Sequence, residues 1–150
     1  MEEVIRMKAI YLNKNIKTVD WVFSEETQRA LGDKLEILGK VRVDDMDSQR
    51  DILKQAECIF STWGMPALTG EQIDEYLSNL KIVFYGAGSV QYFARPFIER
   101  GIHVCSSWQA NGIPVAENVM SLILLSNKGY FRRADDYRAD KTKSTPNDFP

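Results

Sequence analysis

The sequence is poor in the residues that build metal and redox centres. It has one histidine, His103, and two cysteines, Cys58 and Cys105, with no Cys-x-x-Cys. A single histidine excludes a multi-histidine metal site within one chain. Two distant cysteines exclude a disulfide scaffold or a cysteine zinc site and fit a reduced, cytoplasmic thiol pair. Charge of either sign is not in excess: 19 lysines and arginines against 21 aspartates and glutamates leave −2. Neither nucleic acid nor an anionic membrane is indicated as a partner. No apolar run exceeds four residues, Leu122 to Leu125 being one, far short of a membrane span. The start, Met1-Glu2-Glu3, is acidic where a signal peptide would be basic.

What is present is ordinary globular composition. The 150 residues, 44% apolar and 27% charged, suffice for one domain with a real core. Short apolar runs alternate with amphipathic stretches. Strands are expected over Met7–Leu12, Leu35–Leu38 (extended by Val41 and Val43), Cys58–Ser61, Lys81–Tyr85 and Ile102–Cys105. Helices are expected from Ser24 to about Leu31, after Asp47 or Ser48, after Thr69, and around Phe93–Ile98. Thr69-Gly70-Glu71-Gln72 has the pattern of a capping box, and Leu68 and Ile73 sit at hydrophobic-staple positions. Lys81–Tyr85 is almost all apolar, the pattern of a strand buried on both faces. This rhythm predicts a doubly wound parallel sheet with helices on both faces. A last, long helix is expected from Pro114, as a first-turn residue, to about Tyr137, with apolar residues on more than one face. Residues 139–150 then read as linker or tail.

Gly86-Ala87-Gly88 follows the fourth strand, so a dinucleotide fingerprint must be tested. Gln91 stands where the third glycine belongs, and Ser106-Ser107-Trp108-Gln109 offers no acid for a ribose. The remaining readings are a tight turn, or backbone amides that face the crevice and hold a carboxylate. Ser61-Thr62-Trp63-Gly64-Met65-Pro66 leaves the third strand toward the same edge. Trp63 and Met65 either line a pocket, with the Gly64 amide facing a ligand, or plug the sheet end. Trp108 has the same two readings, and Trp21 reads as packing. His103, inside a short apolar strand, reads as structural or surface, and both cysteines as buried small hydrophobes. Glu117 suits a helix N-terminus and Lys128, Arg132 and Arg133 its other end. A phospho-receiver reading fails, because Asn13-Lys14-Asn15 and Ser61-Thr62 stand where its acids belong.

From about Ala56 to Arg132 the chain resembles the D-isomer-specific 2-hydroxyacid dehydrogenases. Leu80–Gly88 is similar to that family's strand and Gly-x-Gly loop, Glu99-Arg100-Gly101-Ile102-His103-Val104 to its "ERGI.V" segment, and Asn111–Glu117 to the "N...VAE" opening of a long interdomain helix. Residues 1–55 match only in rhythm. The resemblance implies a flavodoxin-like substrate domain over 1–112, three layers of α/β/α. It further implies the interdomain helix over 113–138 and, after 139–150, a Rossmann domain that this sequence does not contain. It implies substrate binding by Ala87 and Gly88 through backbone amides, by Trp63 and Gly64 after the third strand, and by Asn111. The family's catalytic arginine, glutamate and histidine and its nucleotide fingerprint come later in the chain, so no catalytic, cofactor or metal residue falls here. The implied enzyme uses NAD or NADP on a small 2-hydroxy or 2-oxo acid and is a homodimer, with this piece inactive alone. Ser89-Val90-Gln91 replaces the acid-containing continuation of the loop, and Trp108 stands where smaller residues are common. The alternative is a standalone flavodoxin-like module for a small acid or a protein, with the apolar helix as its docking surface.

Overall fold

The computed structural model describes residues 6–139. Five strands, β1 (Lys8–Asn13), β2 (Glu36–Arg42), β3 (Cys58–Ser61), β4 (Ile82–Tyr85) and β5 (His103–Ser106), form one sheet in the order β2-β1-β3-β4-β5. Every neighbouring pair is parallel. That is the flavodoxin-like order of a doubly wound sheet, as the α/β alternation predicts. Between the strands lie α1 (Ile16–Val22), α2 (Glu25–Gly32), α3 (Arg50–Gln55), α4 (Gly70–Tyr76) and α5 (Ala94–Ile98).

Local chemistry sets these elements. Ser24 caps α2 by accepting from the Thr27 amide. Thr69 and Gln72 form the expected capping box on α4, and Leu68 and Ile73 are both buried beside it. Helix α1 has no counterpart in the sequence reading. Asn15 caps it, but only Val19 is buried, so its apolar periodicity is too weak to read.

Alternation along the strands divides the core into two layers. Ile10, Leu12, Ile59, Val83 and Tyr85 face α3–α5 and pack with Leu53, Ile73, Leu77, Phe93 and Phe97. Ala9, Tyr11, Cys58 and Phe60 face the other way and pack with Val19, Phe23 and Leu31. Helices α1 and α2 touch β1 and β2, which leaves β4 less covered than its sequence predicts. Phe84 keeps 37% of its surface exposed, stacked on Phe60 at 5.3 Å. On edge strand β5, His103 and Cys105 are exposed. Burial of Cys105 is therefore corrected, whereas Cys58 is fully buried. Trp21, read as packing, is 76% exposed on α1.

The chain divides into two compact units, residues 1–111 and 112–150. The sheet lies in the first. The second, as far as it is described, holds most of α6 (Trp108–Asn127) and all of α7 (Tyr130–Ala139). The single helix expected from Pro114 to Tyr137 is thus two, beginning earlier. The Asn111 amide already donates to Ser107 at 2.9 Å, so Pro114 lies inside α6, where it forgoes one backbone hydrogen bond rather than opening the helix. Gly129, with φ +65, ends the run because a left-handed residue breaks helical geometry. No residue of α6 or α7 is buried. The tail expected over 139–150 lies, from residue 140 onward, outside the described residues, as does Met1-Glu2-Glu3.

Candidate functional site

In open parallel sheets, ligands bind outside the carboxyl ends of the strands. Here that edge is made by the loops after β1, β3, β4 and β5. The segments 61–66, 86–93 and 106–112 carry no charged side chain. The amino edge is different: Lys81 Nζ pairs with Glu57 at 2.6 Å and the Lys8 amide donates to the same carboxylate at 3.1 Å. The Lys81 hydrogen bond, aided by that amide, holds the Glu57 carboxyl below its usual range.

The loop after β4 starts under tight constraint. The Gly86 amide donates to Ser61 O at 2.8 Å, and the Ser107 amide to Tyr85 O at 3.0 Å. A Cβ on Gly86 would stand 2.9 Å from Val22 Cγ1 and 3.1 Å from Phe23 Cζ, so helix and loop approach too closely for a side chain. Ala87 is fully buried. The Ser106 hydroxyl, at the end of β5, reaches Ala87 O at 3.1 Å and Gly88 O at 2.5 Å. Among the described residues, no protein oxygen accepts from the amides of Gly88 or Ser89. A Cβ on Gly88 would lie 3.0 Å from Asn111 Nδ2. Gly88 and Asn111, expected as site residues from separate motifs, therefore meet. Together they offer neutral hydrogen-bond donors, the chemistry that suits a carboxylate.

The loop after β3 is built differently. The Met65 amide donates to Thr62 O at 3.0 Å, closing a turn, and Gly64 takes φ +107 within it, a conformation that favours glycine. Trp63 O accepts from Asn13 Nδ2 at 3.2 Å and from Thr18 Oγ1 at 3.3 Å. Gly64 O accepts from the Lys14 amide at 3.0 Å. Asn13, fully buried at the end of β1, also accepts from the Asn15 amide at 3.0 Å. A Cβ on Gly64 would collide with Asn13 Oδ1. Trp63 and Gly64 are thus tied to β1. A link toward the β4 loop is Tyr92, whose hydroxyl donates to Met65 O at 3.1 Å; burial of that hydroxyl and the neighbouring Tyr85 raise its pKa. Trp63 keeps 55% of its surface exposed and Trp108, the first residue of α6, 63%.

Sequence reasoning missed Asn13 and Ser106. Each ends a strand with a small polar side chain, a detectable signal, but its partners are backbone atoms of another loop. Cys58 is no nucleophile, since burial pushes its thiol up to about 12. No group of three or more His, Cys, Asp or Glu among the described residues is placed to hold a metal, and no helix among them is long and apolar enough to cross a membrane. The β4 loop does not fit a dinucleotide. Beyond the absent third glycine, α5 begins only at Ala94 and spans five residues, so no helix N-terminus stands at Gly88 to receive a pyrophosphate.

The fold is that of a flavodoxin-like α/β domain, and at its carboxyl edge the loops after β3, β4 and β5 carry no charged side chain while the loop after β1 carries Lys14. No family model matches the sequence, and no curated protein matches it. Solved structures do match. A phosphoglycerate oxidoreductase from Rhizobium etli aligns over 90% of this chain and 41% of its own, with TM-score 0.61 and 24% identity. D-lactate dehydrogenase from Aquifex aeolicus, complexed with NAD and lactic acid, aligns over 91% and 38%, with TM-score 0.61 and 21% identity. The pyruvate reductase of Chlamydomonas reinhardtii aligns over 95% and 41%, with TM-score 0.58 and 15% identity. The likeness establishes the fold, and the chain spans about two fifths of the length of these structures.

Proposed function

We propose that this chain is the substrate-binding part of a dehydrogenase of D-2-hydroxy acids. The whole enzyme transfers a hydride between NAD or NADP and C2 of a small 2-hydroxy or 2-oxo acid. The observation that carries the reading is the β4 loop: amides of Gly88 and Ser89 without protein acceptors, beside the Asn111 side chain, at the carboxyl edge of the sheet. The likeness to a lactate dehydrogenase holding NAD and lactic acid supports it. In this reading Gly88 and Asn111 bind the substrate carboxylate, Ala87 shapes the loop, and Trp63 and Gly64 form the neighbouring wall. None of these residues moves a proton. The histidine, arginine and acid that would do so, and the nucleotide site, belong to a Rossmann domain outside residues 1–150. The enzyme is cytoplasmic and homodimeric, and this piece alone is inactive.

The test is reduction of a panel of 2-oxo acids by the protein that carries this chain, with NADH or NADPH, followed by the absorbance of the reduced nicotinamide. Acid-dependent oxidation is expected. A folded protein that oxidises neither nucleotide with any acid contradicts the reading, and tight NAD binding by residues 1–150 alone contradicts the division of labour.

A second reading, a non-catalytic binding module, draws on α6. Val115, Val119, Met120, Leu122, Ile123 and Leu124 each keep between 46% and 57% of their surface exposed, an apolar area suited to docking. A stop codon directly after Pro150 in the source gene would favour the module, and a strand followed by Gly-x-Gly-x-x-Gly would favour the enzyme.

A further inference from the structure

We propose that Ser106 is a positioning residue: its hydroxyl holds the carbonyls of Ala87 and Gly88 so that the Gly88 and Ser89 amides are presented to the substrate carboxylate. The inference rests on the carboxylate reading of this loop and assigns what keeps the loop in a binding orientation.

A trans peptide is planar, and its C=O and N–H point in opposite directions. The peptide carrying Ala87 O also carries the Gly88 amide, and the one carrying Gly88 O carries the Ser89 amide. A donor that fixes both carbonyls therefore fixes both amides on the far side. Ser106 Oγ is placed for this, at 3.1 Å from Ala87 O and 2.5 Å from Gly88 O. It has one proton to share between two acceptors, which makes the contact a three-centre bond.

Without that hydroxyl, the two peptides are free to turn their carbonyls toward the crevice. A carbonyl dipole repels a carboxylate as an amide attracts it, so a flip converts the site from receptive to hostile. Position follows from register. Ser106 pairs with Tyr85 across β4 and β5, directly beside the start of the loop. The Ser107 amide, bonded to Tyr85 O at 3.0 Å, continues the ladder and keeps Ser106 there. Asn111 follows one turn into α6, with Nδ2 against Gly88. The segment from Ser106 to Asn111 thus serves the loop twice: its hydroxyl orders the backbone and its amide adds a donor. Ser106 itself is half-buried and contacts the loop's backbone.

The test compares Ser106→Ala and Ser106→Thr with the parent 150-residue chain. Carbonyl carbon chemical shifts of Ala87 and Gly88 are recorded without ligand, then the Kd for pyruvate is measured by amide shift titration. In Ser106→Ala both carbonyl signals should move upfield as they lose their donor. Pyruvate affinity should fall about tenfold, the effect of one structuring hydrogen bond. Ser106→Thr keeps a hydroxyl and should restore both signals and the affinity. Unmoved carbonyl signals in Ser106→Ala overturn the proposal, as does parental pyruvate affinity despite moved carbonyls. If pyruvate leaves the Gly88 and Ser89 amides of the parent chain unshifted, the carboxylate reading itself falls, an outcome separable from failure of Ser106 alone.

Discussion

The loops after β3 and β4 leave the same edge of the same sheet, yet their carbonyls are held by different partners. The β3 loop is tied to β1 and α1 through its carbonyls. Its carbonyls accept from Asn13, Thr18, Lys14 and Met65, and Gly64 is locked against Asn13. The β4 loop is held through its carbonyls by one serine hydroxyl, leaving the Gly88 and Ser89 amides to something else. Buried or constrained backbone groups find partners in nearly every folded protein. Among the described residues the amides of Trp63 and Gly64 lack a protein acceptor as those of Gly88 and Ser89 do, so what sets the β4 loop apart is the second donor beside it, the Asn111 side chain against Gly88. In the proposed reading the β3 loop is a wall of the site, with the exposed Trp63 facing the substrate.

Substitutions can break this contrast. The largest effect is expected at Gly64. In Gly64→Ala the side chain meets both a left-handed φ of +107 and the buried Asn13. The left-handed strain and the displaced asparagine together should cost about 3 kcal/mol of stability. Urea unfolding of the 150-residue chain measures it, and a loss below about 1 kcal/mol would mean that the β3 loop is not rigid.

Gly88→Val should separate binding from stability. Its nearest neighbour is the movable end of Asn111, at 3.0 Å, so the fold should lose no more than about 1 kcal/mol. The added branch covers the amides, however. In the complete enzyme KM for the 2-oxo acid should rise about tenfold or more, with kcat less affected. An unchanged KM would remove the β4 loop from the site.

The smallest effect is expected at Thr62, which is fully buried and whose Oγ1 has no hydrogen-bond partner. Thr62→Val replaces an unsatisfied hydroxyl by a methyl of similar shape. It should change stability by about 0.5 kcal/mol or less in either direction, and leave KM alone. A large loss in urea unfolding would reveal a hidden partner for that hydroxyl.

Much of this architecture is legible in the sequence, because alternation and caps are local signals. The apolar runs at Ala9–Leu12 and Cys58–Ser61 become the central strands, and Thr69–Gln72 forms the box that its spacing requires. The helix at Ile16–Val22 escapes notice because one buried valine gives no periodicity. Pro114 misleads because proline is favoured in first turns, whereas Trp108 and Asn111 have already started the helix. The burial of β4 and β5 depends on how far α1 and α2 reach across the sheet, a tertiary matter that leaves Phe84 and Cys105 exposed. At the candidate site, the glycines and Asn111 are visible through motif and resemblance. Asn13 and Ser106 are not, since each acts on a loop distant in sequence from its own strand.

The central claim is that the β4 loop, and not its neighbour, receives a carboxylate. The direct measurement is a pyruvate titration of the isotopically labelled 150-residue chain, following backbone and side-chain amide resonances. The account predicts saturable shifts at the Gly88 and Ser89 amides and at the Asn111 side chain, larger than any at Gly64, with the Lys14 amide, bonded to Gly64 O, unmoved. Shifts confined to Lys14 and Gly64, or none at Gly88 and Ser89, would contradict it.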